Sequence, residues 1–212
     1  RGLIVVNLSP LQALTVSYGF NYTQKIIKRV AAALQALCGE GKTLYYPYDK
    51  RFVVYNSNYR DHQELVVFAG KVREMLEKIL SSERTGGSVA MMELDGSRDY
   101  SVEDIMTNLL TASEIAIEQG ENDIHLCLYD DQMERGIVRN KMIEQELNRM
   151  IAQKSDAGLY LVYQPIFDLR TNRICEFEAL ARISSPTLGV IPPLDFINIA
   201  EKTKQILAIG DM

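Results

Sequence analysis

Residues 159–183 read LYLVYQPIFDLRTNRICEFEALARI, and this pattern sets the architecture of the second half of the chain. Two strand-like apolar runs, 159–166 and 174–183, are separated by seven residues that include Arg-Thr-Asn. A parallel crossover needs roughly a dozen residues or more, so the two strands are predicted to pair antiparallel as a hairpin. A loop over 184–193 and a helix over 194–204 are predicted to follow.

The first 130 residues alternate between helix and strand patterns. The clearest helix begins at Asp61, with Glu64 three residues later as in a capping box, and its apolar residues recur at helical spacing. Residues 44–47 and 52–55 predict two strands joined by a short turn. The order β-α-α-β-β-α-β-α-β predicts an α/β (α+β) fold with a mixed central sheet flanked by helices.

Composition excludes several classes of protein. The 212 residues include 23 Lys and Arg against 28 Asp and Glu, a net charge of −5, which disfavours a nucleic-acid partner. No apolar stretch approaches the roughly 18 residues of a membrane segment. The three cysteines lack CxxC spacing, which favours reduced thiols and a cytoplasmic location. Because the chain starts without Met, we expect it to be a piece of a longer protein.

The strand over 174–183 alternates between apolar and charged positions. Its odd-numbered positions from 175 to 181 are apolar and are expected to face packed structure, while its even positions include Glu176, Glu178 and Arg182. Carboxylates bind hard cations, and arginine binds phosphate with two hydrogen bonds. Glu178 and Arg182 lie roughly 13 Å apart on an extended strand, which suits two ends of a phosphorylated ligand. Spacing alone favours the other interpretation, an edge strand with a solvated face.

Four short blocks stand out in this half of the chain: YQPI at 163–166, FEALAR at 177–182, GVIPP at 189–193 and FINIAE at 196–201. In this order they resemble the opening of an EAL domain, a cyclic-di-GMP phosphodiesterase with a TIM-like barrel. The resemblance implies that Glu178 ligates Mg²⁺ or Mn²⁺ and that Gln164 and Arg182 contact the dinucleotide. It also implies two metals that activate water for attack on the phosphodiester. The residues that complete the metal site are expected beyond Met212, so we expect no cofactor and no hydrolysis in the chain as given.

The hairpin turn of the first half reads YDKRF over residues 48–52. In length and element order, residues 1–131 resemble a GGDEF domain, a family of diguanylate cyclases that commonly precedes EAL domains. The family's Gly-Gly-(Asp/Glu)-Glu sequence corresponds here to Tyr48, Asp49, Lys50 and Arg51, which are bulky in place of glycine and basic in place of acidic. Other matched positions that have changed are the metal position Asn7, the guanine-contacting positions Thr15 and Gln24, and the phosphate-binding positions Ile117 and Glu121. The resemblance therefore implies a degenerate domain without cyclase activity.

Together the two resemblances imply three segments: a degenerate GGDEF-like domain over 1–131, a helical connector over 132–157 and the N-terminal part of an EAL domain over 158–212. The predicted function is cyclic-di-GMP signalling, in which an inactive regulatory domain is linked to an EAL domain that hydrolyses cyclic-di-GMP in the intact parent. The alternative is a non-catalytic cyclic-di-GMP receptor or a protein-interaction scaffold. A homodimer and weak allosteric binding of GTP at Lys50 and Arg51 are left open, and no membrane segment is expected.

Overall fold

The computed structural model describes residues 1–48, 50–94, 96, 99–118, 120, 123–153 and 158–211. They form two compact units, Arg1–Glu134 and Arg135–Met212. The division into three segments at 131/132 and 157/158 remains a prediction. Within the described residues, no helix is both long and apolar enough to cross a bilayer.

The first unit has the element order that the sequence predicts. Its elements are β1 (Gly2–Asn7), α1 (Leu11–Tyr18), α2 (Phe20–Leu37), β2 (Lys42–Tyr48), β3 (Arg51–Asn56), α3 (His62–Leu80), β4 (Gly87–Glu93), α4 (Val102–Ile117) and β5 (Ile124–Tyr129). The strands form one sheet in the order β2-β3-β1-β4-β5, in which β4 and β5 are parallel and the other pairs antiparallel. The predicted α/β fold with a mixed central sheet is confirmed.

Side-chain caps explain where two of these helices begin. The Asp61 carboxylate accepts a hydrogen bond from the Glu64 backbone N–H at 2.9 Å, as predicted for α3. The Ser101 hydroxyl does the same for the Asp104 N–H at 3.0 Å before α4. Each cap satisfies a backbone donor that has no partner inside its helix.

Helices cover both faces of the sheet, so all six residues of β1 are buried. Ile4 and Val6 of β1 share a core cluster with Val30 of α2 and Leu76 of α3. Helix α4 packs against β1, β4 and β5, and a hydrogen bond joins it to Asn7 at the end of β1. The carboxyl end of β1 therefore lies directly under α4.

The second unit contains most of a long helix and an antiparallel sheet. Its elements are α5 (Asp131–Gln153, which begins at the end of the first unit), β6 (Leu159–Asp168), β7 (Arg173–Ser185), β8 (Gly189–Ile191), α6 (Pro193–Lys202) and α7 (Ile206–Gly210). The predicted antiparallel pairing of β6 with β7 is confirmed. Strand β8 and helix α7 are missing from the prediction, because three and five residues are too few to show a periodic pattern.

The helix predicted as a connector contributes to the core of the second unit. Ile143, Leu147 and Met150 of α5 are buried together with Ile183 of β7 and Phe196 of α6. These contacts cover the last residues of β7, where Ile183 is fully buried. The hairpin is thus held at this end by packing against two helices.

One sequence prediction about β7 is wrong. Cys175, Phe177 and Ala179 were expected to face packed structure, but all three are exposed, with 61% of Phe177 accessible. The reason is geometric, since the core of this unit reaches Ala181 and Ile183 but not the earlier residues of the strand. The middle of the hairpin therefore exposes apolar side chains on both faces.

Candidate functional site

The three site residues predicted in the second unit lie on two paired strands. Gln164 of β6 is directly opposite Glu178 of β7, and Tyr160 is opposite Arg182. Directly paired residues present their side chains on the same face, and so do alternate residues along one strand. The structure therefore places Gln164, Glu178 and Arg182 on one face of the hairpin, at two levels roughly 13 Å apart.

The ends of the hairpin hold this face in place. The Arg182 guanidinium donates to the Ala181 backbone carbonyl at 2.8 Å and is half-buried, whereas Glu178 is exposed. At the turn, the Asp168 carboxylate accepts from the Arg170 backbone N–H at 2.8 Å, and this bond lowers the pKa of the Asp168 carboxyl. The register between the two ends is therefore fixed by the turn and by core packing.

The donor set for a divalent cation is partial. Carboxylate oxygen is the ligand that Mg²⁺ and Mn²⁺ favour, and Glu178 supplies one such group. Glu176 lies on the same face, roughly 7 Å further along the strand. In the part of the chain that the structure describes, no group of three or more His, Cys, Asp or Glu residues is arranged to hold a metal ion. Glu178 therefore fits a cation site as one ligand. The described residues do not supply the other ligands of such a site.

In the first unit, a polar row crosses the sheet at the end of β1. Arg51 of β3, Asn7 of β1 and Ser88 of β4 are directly paired. The amide of Asn7, which is fully buried, donates to Ser113 Oγ at 3.1 Å and to Glu114 Oε1 at 3.0 Å. Arg51 Nη2 lies 2.7 Å from the same Glu114 oxygen. One carboxylate of α4 therefore joins two of the positions that were predicted to differ from the GGDEF pattern.

Sequence reasoning missed Glu114. This residue lies 107 positions from Asn7 and 63 from Arg51, and no motif connects them. The apolar stripe of α4 predicts that this helix packs on the sheet. The stripe gives no information on which strand end the helix covers. Only the packed structure brings the three side chains together.

Three other predicted positions share a cleft. Thr15, Gln24 and Lys50 line a space of about 300 Å³ together with the rings of Phe20 and Tyr46. The Thr15 hydroxyl is already engaged, because it donates to a backbone carbonyl of α1 and contacts a threonine hydroxyl of α2. The cleft combines aromatic rings, an amide and an ammonium group, which are groups that contact planar, phosphorylated ligands.

The last predicted positions are less informative. Ile117 is the final residue of α4 and is half-buried, so it presents an apolar side chain where the family has a cation. Asp49 and Glu121 lie outside the described residues, as does the side chain of Tyr48.

A further polar cluster, not predicted from the sequence, lies at the opposite end of β4. His62 Nδ1 is 2.7 Å from Glu93 Oε2. Burial, together with a hydrogen bond to Glu93, raises the pKa of Tyr59 to about 12. Glu93 and His62 border a cavity of about 260 Å³ near the start of α5.

The fold is similar to that of a solved protein with both domain types. The S helix–GGDEF–EAL portion of Vibrio cholerae LapD, bound to c-di-GMP, matches 96% of this chain and 47% of that chain with a TM-score of 0.61. The two are 12% identical in sequence, so the likeness shows the fold alone.

Sequence comparison finds a family match within the second unit. Residues 144–212 match the EAL domain family. The matched EAL segment begins within α5 and includes Gln164, Glu178 and Arg182. The face formed by these residues therefore lies within the stretch that matches the EAL domain family.

Two curated relatives extend the match towards the first unit. An uncharacterized signaling protein of Caulobacter vibrioides is 33% identical over 146 residues, which are 68% of this chain and 17% of that protein. The cyclic di-GMP phosphodiesterase PdeR of Escherichia coli is 24% identical over 217 residues, covering 99% of this chain and 31% of that protein. The chain thus spans less than a third of the length of either relative.

Proposed function

We propose that this chain is part of a cyclic-di-GMP signalling protein whose EAL domain hydrolyses cyclic-di-GMP. The proposal includes a cytoplasmic location and a GGDEF-like first unit that regulates the EAL domain without making cyclic-di-GMP. The EAL match over 144–212 and the relationship to PdeR, a cyclic di-GMP phosphodiesterase, support it.

The observation that carries the proposal is the shared face of Gln164, Glu178 and Arg182 on paired strands. On this face the Arg182 guanidinium is suited to bind a phosphate of the dinucleotide with two hydrogen bonds. The Gln164 amide both donates and accepts, which suits contact with a base or a ribose. Glu178 would be one ligand of Mg²⁺ or Mn²⁺, and the bound cations would supply activated water for attack on phosphorus.

The test is hydrolysis of cyclic-di-GMP by the whole protein in the presence of Mg²⁺ or Mn²⁺. Glu178→Gln removes a charged cation ligand and should lower turnover by roughly 100-fold or more, since even outer-shell changes cost 10–100-fold. Glu176→Gln is the matched control, because it makes the same change on the same face of the same strand. It should leave turnover within about threefold, because the resemblance gives Glu176 no role.

The outcomes separate the enzyme from the alternatives. Loss of turnover in Glu178→Gln but not in Glu176→Gln supports the phosphodiesterase. A folded whole protein that binds cyclic-di-GMP without hydrolysing it is a receptor, and one that does neither is a scaffold. Either result contradicts the proposed activity.

The absence of cyclase activity rests on the contacts at the end of β1. The guanidinium of Arg51 and the amide of Asn7 stand where the family has acidic residues, and both are bound to Glu114. The ion pair of Arg51 with Glu114 stands where a cyclase binds a cation, so a divalent ion would have to displace the guanidinium from this carboxylate. The measurement is formation of cyclic-di-GMP from GTP by the whole protein with Glu178→Gln, a change that is expected to stop hydrolysis of the product. Any cyclic-di-GMP formed would contradict the proposed absence of cyclase activity.

Weak regulatory binding of GTP is part of the same proposal. The cleft beside Lys50, Gln24 and Phe20 is the space available for it. A thermal shift of the chain with millimolar GTP tests this directly, and no stabilisation would count against it.

A homodimer also remains a prediction, and light scattering of the whole protein would test it.

A further inference from the structure

A cavity of about 430 Å³ lies in the first unit, apart from every residue used so far. It is found where α3 ends and where β4 and β5 begin. Leu80 and Ile124, both buried, form an apolar part of its wall. Ligand sites for small molecules occupy roughly 300–1,000 Å³, so the size suits a small organic ligand.

Hydrogen-bond donors dominate the polar lining. Arg73, Arg84 and His125 border the cavity, together with the hydroxyls of Ser81 and Thr85. An arginine side chain carries five N–H donors and has no acceptor, and each hydroxyl can donate as well. Such a lining favours a ligand that is rich in acceptor atoms.

These donors are largely uncommitted within the protein. Arg73 Nε lies 3.5 Å from Glu77 Oε1, which is beyond a good hydrogen-bond distance, and this nitrogen is buried without a hydrogen-bond partner. His125 Nε2 is also buried, and no acceptor for it is found among the described residues. For Arg84, the described part of the chain shows neither a hydrogen bond nor an ion pair. Two guanidinium groups therefore border one cavity: that of Arg84 has no partner among the described residues, and that of Arg73 has only the long ion pair with Glu77.

Two features oppose an anion here, and both are weak. Glu77 and Asp123 also line the cavity, but both residues are exposed, so each carboxylate can turn into water. The end of a helix carries partial negative charge on its last carbonyl groups. Two of those of α3 are occupied, since the Leu80 carbonyl accepts from the Glu83 N–H at 2.9 Å and the Glu77 carbonyl from the Ser81 N–H at 2.9 Å.

The backbone at Arg84 adds an independent observation. Its φ of 49° lies in the left-handed region, which favours glycine. Gly86 lies only two residues later in the sequence, yet the strained position carries an arginine that lines the cavity. Strain of this kind is concentrated at ligand sites, where the surrounding structure holds it in place.

We propose that this cavity binds the phosphate group of a small phosphorylated molecule. Arg84 and Arg73 provide fork-shaped donors that match phosphate oxygens, and Ser81 and Thr85 add hydroxyl donors. The apolar wall contacts the rest of the ligand. The site is separate from the face on β6 and β7 and from the cleft beside Lys50, so it does not depend on the proposed function.

The experiment is a ¹H–¹⁵N NMR titration of the full 212-residue chain with sodium phosphate, using sodium chloride at matched ionic strength as the reference. Shifts should concentrate in residues 80–85 and 123–125 and should saturate. Arg84→Ala should weaken binding roughly tenfold or more, because it removes a bidentate contact, and Arg84→Lys should weaken it less. Arg60→Ala is the matched control, since Arg60 is 90% exposed and pairs with Glu64 elsewhere on the surface.

A second arm compares ribose 5-phosphate with ribose. Binding of ribose 5-phosphate at the same residues, with no response to ribose, would support recognition through the phosphate. The proposal is overturned if sodium chloride reproduces the shifts, if they do not saturate, or if Arg60→Ala weakens binding as much as Arg84→Ala. Because Arg84 is exposed, its variants should fold, and a dispersed spectrum confirms this before the titration.

Discussion

The ion pair between Arg51 and Glu114 should stabilise the first unit by a measurable amount. Two changes test it without creating a large cavity. Arg51→Met keeps an unbranched apolar stem but removes the guanidinium. Glu114→Gln keeps an oxygen that can accept from Asn7 but removes the charge. Combined in a double-mutant cycle, they isolate the energy of the pair from other effects of each substitution.

The magnitude follows from exposure. Fully exposed pairs contribute about 0.2–1 kcal/mol, and hydrogen bonds to charged groups contribute about 1.5–3 kcal/mol. This pair lies between the two cases, since 16% of the Arg51 side chain but 49% of the Glu114 side chain is accessible. The separation of 2.7 Å makes the contact a direct hydrogen bond. We therefore expect a coupling energy of about 1–1.5 kcal/mol.

The assay must report on the first unit alone, because the chain has two compact units and no tryptophan. Urea unfolding followed by pulsed hydrogen exchange and mass spectrometry meets this need, since peptides from β1 and β3 report on their own unit. At 1 M salt the Debye length falls to about 3 Å. The coupling energy should decrease only in part, because most of the Arg51 side chain is shielded from solvent.

A coupling energy below about 0.3 kcal/mol would show that the pair does not stabilise the first unit. It would mean that Glu114 is bound as well by water as by Arg51. The guanidinium of Arg51 would then have no energetic basis for occupying the position of a cation at the end of β1.

Three other predictions follow from the same structure. Asn7→Asp should lower the free energy of unfolding by about 3 kcal/mol, because it buries a second carboxylate beside Glu114 and removes the two hydrogen bonds that Asn7 donates. An unchanged midpoint of urea unfolding would contradict this prediction. The pKa of Tyr59 is raised from its ordinary value of 10 to about 12, so the folded chain keeps a proton that the unfolded chain loses. The free energy of unfolding should therefore fall as the pH rises from about 10 to about 12. Tyr59→Phe should weaken this pH dependence and remove the tyrosine titration step near pH 12 from the ultraviolet absorbance. Asp61→Ala should lower the free energy of unfolding by about 1 kcal/mol, because it removes the cap to the Glu64 N–H, while Asp61→Asn should lower it less. Equal melting temperatures by circular dichroism would exclude a role for the cap.

Much of the fold is predictable because it depends on local patterns. The helical stripe after Asp61 and the cap at Asp61 are read from neighbouring residues, and the structure shows both where the sequence predicts them. The hairpin of β6 and β7 is also local, since a seven-residue connection permits only antiparallel pairing. The short elements β8 and α7 escape prediction because they have too few residues for a period.

Spacing along the chain is enough to predict the mixed α/β order, the antiparallel hairpin and the motif that contains Gln164, Glu178 and Arg182. The tertiary structure decided which of these residues meet. It placed Glu114 against Asn7 and Arg51, and it left Phe177 exposed where alternation predicted burial. The physical reason is that side-chain alternation fixes the faces of an element, whereas the partner that covers each face depends on long-range packing that no local pattern records.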